Sequence, residues 1–136
     1  MNYQEFIENK IKFSPLTGFE VEREDINPMC FEFQKDSIIW ALKGGKRALF
    51  SSFGLGKTFC QLEMARLTVQ KKGGLGLIIC PLGVKQEFTE DGKKLDIHIT
   101  YVKSNEDILN SPTPIMITNY ERVRDGGIDV NQFTFV

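Results

Sequence analysis

The chain has 136 residues, 41% hydrophobic and 26% charged, with a net charge of −1. That size supports one buried core rather than two, and no run reaches the roughly 20 apolar residues of a membrane span. A charge so near zero excludes attraction of nucleic acid by the field of the whole protein, so any such contact has to be local. The opening Met1-Asn2-Tyr3-Gln4-Glu5 is polar, unlike a secretory signal. Cys30, Cys60 and Cys80 are odd in number and form no CxxC pair, which points to small buried thiols in a reducing compartment.

The spacing of Phe6, Ile7 and Ile11 predicts an amphipathic helix over 3–11, followed by an irregular arm over 14–30 broken by Pro15, Gly18 and Pro28. A helix is expected over 34–43, stopped by Gly44-Gly45, then a first core strand over 47–51. The next helix, 58–72, repeats apolar residues at Phe59, Leu62, Ala65 and Val69 and ends in Lys71-Lys72-Gly73-Gly74. Leu75 to Cys80 is a continuous apolar run, the pattern of a parallel strand buried on both faces. A helix over 83–94 with Val84 and Phe88 inward, a strand over 97–102 and a short helix over 105–110 follow. Beyond them come a strand over 114–118, a helical turn over 120–124 and the start of a fifth strand at 133–136. Strands alternating with helices imply an α/β fold, a parallel sheet with helices on both faces. His98, alternating with Ile97 and Ile99, reads as a surface residue, and Lys43, Lys46 and Arg47 as a solvated turn.

The chemistry is concentrated between the first strand and its helix. Ser52, Phe53, Gly54, Leu55, Gly56, Lys57 and Thr58 form a loop with two glycines that opens into a helix, the layout of a phosphate-binding P-loop. Glycines let backbone N–H groups turn toward a polyphosphate, the lysine reaches the β/γ-phosphates, and the threonine hydroxyl holds Mg2+. These residues are the candidate site for ATP or ADP, with Thr58 as the metal ligand. Ser51 departs from the glycine of the full pattern, and a glycine turn opening an ordinary helix is the alternative reading.

Stretches across residues 31–136 resemble, in order, the first motor domain of superfamily II helicases and translocases, above all the Swi/Snf-like branch and phage-encoded members. Phe31-Glu32-Phe33-Gln34-Lys35-Asp36 with Trp40-Ala41-Leu42 is similar to the glutamine motif, and Gly54-Leu55-Gly56-Lys57-Thr58 to motif I. Leu77 to Val84 resembles motif Ia, and Ile117-Thr118-Asn119-Tyr120-Glu121 motif Ib. The resemblance implies a RecA-like P-loop NTPase fold, incomplete, in three layers. It implies that Gln34 reads the adenine edge and that Pro81, Leu82, Gly83, Thr118 and Asn119 meet nucleic-acid phosphates, DNA being the partner. It further implies a partial ATP-binding domain over 31–136, ending before the Asp-Glu pair of motif II, with the helix and arm read from the residues occupying 1–30. The second motor domain and its arginine finger would lie elsewhere, so no catalytic residue for hydrolysis is expected within these residues. The expected setting is the cytoplasm of a bacterial or phage-infected cell, with self-association possible through an unpaired strand edge at 47–51. Another P-loop NTPase, such as a small kinase or signalling NTPase, and a non-enzymatic interaction module stand as the alternatives.

Overall fold

The apolar runs of the second half become three parallel strands, β1 (Gly76–Cys80), β2 (Ile99–Tyr101) and β3 (Ile115–Asn119), in the spatial order β1-β3-β2. The computed structural model describes residues 2–5, 17–47 and 56–136. Register runs from Gly76 opposite Ile115 to Cys80 opposite Asn119, and from Ile99 opposite Ile115 to Tyr101 opposite Ile117. The α-helices with full bounds among the described residues are α1 (Glu32–Gly44), α2 (Lys57–Lys72), α3 (Lys85–Lys94), α4 (Asn105–Leu109) and α5 (Tyr120–Arg124).

Alternation along the strands separates two apolar layers. Ile78, Cys80, Ile115 and Ile117 pack with Leu62, Ala65 and Leu67 of α2 and with Phe88 of α3. Leu77 and Met116 point the other way, onto Val102, Ile108 of α4 and Ile128. The expected three-layer parallel sheet with flanking helices is therefore present. β2 is shorter than the predicted 97–102, because Ile97 leaves the ladder to close on α3, its N–H donating to Gly92 O at 2.7 Å. The final segment contributes a single bridge, Phe135 beside Gly76, where Leu77 N donates to Phe135 O at 2.8 Å. That bridge extends the sheet beyond β1. The helix predicted over 3–11 is helical at residues 3–5, and its remainder lies outside the described residues, as does all but Arg47 of the strand predicted over 47–51, with its expected free edge.

Residues 17–30 of the arm expected to be irregular are held by hydrogen bonding rather than by periodicity. Thr17, Gly18 and Phe19 donate their N–H groups to the carbonyls of Gly44, Lys43 and Leu42 at 3.2, 3.3 and 2.9 Å. Those carbonyls end α1 and have no partner within it. Gly18 comes so close that a side chain there would overlap Leu42 O. Farther along, Arg23 pairs with Glu32 at 2.6 Å and with Asp36, holding the arm along α1.

The arm is also tied to α2 by a buried ion pair. Glu63 is fully buried, and its carboxylate accepts Arg66 Nε at 2.5 Å, Arg66 Nη2 at 2.8 Å and Asn27 N at 2.9 Å. Arg66 Nη2 also donates to Asp25 O at 2.9 Å, and Asn27 Nδ2 to Leu95 O at 3.2 Å. The Glu63 hydrogen bond raises the Arg66 pKa. Cys30, Cys60 and Cys80 are free buried thiols, as expected. Burial pushes all three up, and for Cys30, with the nearby Glu63 carboxylate adding to it, the value reaches about 11.

Candidate functional site

The first turn of α2 sets the site. Gly56 precedes it with φ +71° and ψ 40°, a left-handed conformation that glycine adopts without steric cost. Its carbonyl accepts Cys60 N at 3.3 Å, the first bond of the helix. The N–H groups of Lys57, Thr58 and Phe59 come before that bond, and no side chain caps the helix start. The N–H groups of the first turn and the positive end of a 16-residue helix therefore face the same point. Lys57 is exposed there, and Thr58 is half-buried.

Gln34 reaches this corner from α1. It is buried, with Oε1 accepting Phe31 N at 2.8 Å and Nε2 3.4 Å from Gly56 O. The first contact is half of a capping box at the start of α1; phenylalanine has no acceptor with which to return it. The second joins α1 to the end of the glycine loop. A side chain on Gly56 would collide with Gln34 Nε2, so both the left-handed turn and the close approach demand glycine. Gln34, Gly56, Lys57 and Thr58, singled out from separate stretches of sequence, thus converge. Ser52, Phe53, Gly54 and Leu55 lie outside the described residues.

A cleft of about 190 Å3 opens beside Thr58, lined by Gln61, Pro81, Val84, Glu87 and Tyr120. It lies at the carboxyl ends of β1 and β3, where open α/β sheets place their ligands. A larger groove, about 830 Å3, runs past Phe19, Leu42, Met64, Leu77 and Phe135. Its lining includes none of Gly56, Lys57 and Thr58, so the smaller cleft is the one that adjoins the helix donors.

The residues assigned to nucleic acid divide into two groups. Pro81, Leu82 and Gly83 are exposed in a 3-10 turn (Leu82–Val84) after β1, and a side chain on Gly83 would meet nothing within 4 Å. Thr118 is fully buried, and its hydroxyl donates to Val102 O at 2.8 Å. Asn119 is buried, its Oδ1 caps α5 by accepting Arg122 N at 3.0 Å, and its Nδ2 donates to Tyr101 Oη at 3.1 Å. Their side chains shape the β3–α5 corner. The sequence reading passed over two residues here. Glu87 lines the cleft, and Lys85 sets its ammonium 4.1 Å from the centroid of the Tyr101 ring. Only the partners across the sheet reveal them.

No family of sequences matches the chain, and no curated protein resembles it at the level of sequence. Among solved structures, the chain is similar to the UvsW helicase from bacteriophage T4, with a TM-score of 0.61 over 92% of its length. The fold is helicase-like. Identity to that structure is 19%, and the match takes in 45% of the UvsW chain, so this chain spans about half the length of its structural neighbour. Among the described residues, no helix is long and apolar enough to cross a membrane.

Proposed function

We propose that this chain is the ATP-binding portion of a helicase or translocase motor, taking an adenine nucleotide with Mg2+ at the start of α2. The observation that carries this reading is the junction of Gln34 with Gly56. An amide that can both donate and accept is held beside the N–H groups of the first helical turn, a lysine and a threonine. In this reading Lys57 meets the β/γ-phosphates, the Thr58 hydroxyl ligates Mg2+, and Gln34 addresses the adenine edge. Glycine at 56 fits the demand that backbone, not side chain, approach the polyphosphate. The helicase-like fold supports a motor rather than a kinase or signalling NTPase. DNA is the polymer on which the complete motor acts, with the exposed turn at Pro81, Leu82 and Gly83 on its track. Bacterial or phage-infected cytoplasm is the setting.

Isothermal titration with ADP and Mg2+ tests the reading. Lys57→Ala is expected to abolish binding. Thr58→Ala should remove only its magnesium-dependent part, and Gln34→Ala should remove the preference for ADP over GDP. Equal affinity of wild type and Lys57→Ala would refute a nucleotide site here.

A further inference from the structure

Asn27 engages both its backbone groups and both ends of its side chain. Its N–H donates to Glu63 Oε2 at 2.9 Å and its Nδ2 to Leu95 O at 3.2 Å. Its Oδ1 accepts Met29 N at 2.9 Å, and its carbonyl accepts Cys30 N at 3.0 Å. The next donor, Phe31 N, goes to Gln34 Oε1 at 2.8 Å. Pro28 carries no N–H, so every backbone donor from Asn27 to Phe31 has a partner. Cys30, buried in the middle of this turn, packs in the same core cluster as Cys60 of α2. The turn is thus fixed at one end on a buried carboxylate and at the other on the amide beside Gly56. Attachment of the arm accounts for the Glu63 end. It does not account for a run of bonds that finishes on Gln34.

An amide selects a base only while its donor and acceptor ends are fixed. Adenine offers an acceptor and a donor along one edge, and guanine offers two acceptors there. With Oε1 held by Phe31 N, the Nε2 end is the one at Gly56 O. Turned end for end, the amide would set its oxygen against the Gly56 carbonyl, acceptor against acceptor. The place of the Phe31 N–H therefore decides which way the amide faces. That place is referred to α2, because Glu63 stands two turns, about 10 Å, along the helix from Gly56. Base and phosphate ends of a nucleotide are thereby set from one rigid element. We infer that Asn27 is a positioning residue for base selection: its turn, seated on Glu63, holds the Phe31 N–H that orients Gln34. The inference rests on the nucleotide reading of this corner and adds to it the residue that makes the amide selective.

Isothermal titration of the 136-residue chain with ADP, GDP and pyrophosphate, each with Mg2+, tests this. Asn27→Ala should cut the preference for ADP over GDP at least about threefold, within the range of one neutral hydrogen bond, and leave pyrophosphate affinity unchanged. A merely structural loss would weaken all three ligands alike. A cycle with Gln34→Ala gives a second readout. Because Asn27 acts through Gln34, the double variant should show the preference of Gln34→Ala alone. Asn27→Ser, a milder change that keeps a short acceptor for Met29 N, should fall between wild type and Asn27→Ala, and it carries the test if Asn27→Ala does not fold. Wild-type preference in the folded Asn27 variants, equal weakening of all three ligands, or additive losses in the double variant would each overturn the inference and leave the nucleotide site standing. A wild type that takes ADP and GDP alike would overturn it together with the role of Gln34, and one that binds none of the three would refute the nucleotide site as well.

Discussion

Replacing Arg66 by alanine tests the clamp between the arm and α2, and its cost follows from the geometry of the pair. Glu63 is fully buried and accepts two hydrogen bonds from the Arg66 guanidinium, at 2.5 and 2.8 Å, besides one from Asn27 N. Arg66→Ala removes both charged bonds and leaves a buried carboxylate with a single backbone donor. Breaking a buried pair from one side costs about 3–5 kcal/mol. The Arg66 side chain is 31% exposed, so water reaches the orphaned carboxylate and the lower figure, about 3 kcal/mol, applies. For a chain of this length that corresponds to a fall of roughly 10 °C in Tm. Equilibrium unfolding in urea, followed by far-UV circular dichroism at constant m-value, measures it. The decisive comparison is the double variant Arg66→Ala/Glu63→Leu. It removes the unpaired charge and leaves only Asn27 N without its acceptor, a cost of about 1–3 kcal/mol. The double variant should therefore be more stable than Arg66→Ala alone. A double variant less stable than the single, or an Arg66→Ala loss under about 0.5 kcal/mol, would refute a buried electrostatic clamp.

Two further outcomes follow from backbone and titration. Asp96 is exposed and lies at φ +57°, a left-handed position that aspartate tolerates and β-branched residues do not, so Asp96→Val should cost about 1–2 kcal/mol while Asp96→Asn is neutral; equal stability of the two in urea would refute backbone strain as the cause. The Cys30 thiol, raised from 9.0 to about 11, favours the protonated native state. The stabilisation it provides is complete below about pH 9 and is lost as pH rises through about 11. Cys30→Ala should flatten the alkaline limb of the stability profile, and an unchanged limb would refute the assignment.

Much of the architecture was legible because local chemistry and global fold agree. The apolar run before Cys80 could only be a strand buried on both faces, and Lys71-Lys72-Gly73 ended α2 where expected. Asn119, expected at a nucleic-acid phosphate, caps α5 by accepting Arg122 N. The candidate site was legible in part. Gly56, Lys57 and Thr58 announce themselves by their spacing, and their position at the start of α2 follows from it. The arm was illegible because its order comes from hydrogen bonds to α1 and α2, distant in sequence, and such bonds leave no periodicity.

By itself the sequence determined the succession of strands and helices, the glycine loop ahead of α2 and the layered α/β class, since each rests on periodicity or steric preference within a few residues. Only the tertiary structure decided what meets across distance. It brought Gln34 to Gly56, buried Glu63 against Arg66 beneath Asn27, and committed the Thr118 hydroxyl to Val102. It also left Leu82 and Tyr120 open at one edge with Lys85 braced on Tyr101. The physical reason is that hydrogen bonds, burial and charge pairing depend on separation in space. A chain read in order specifies that separation only where neighbours in sequence are also neighbours in the fold.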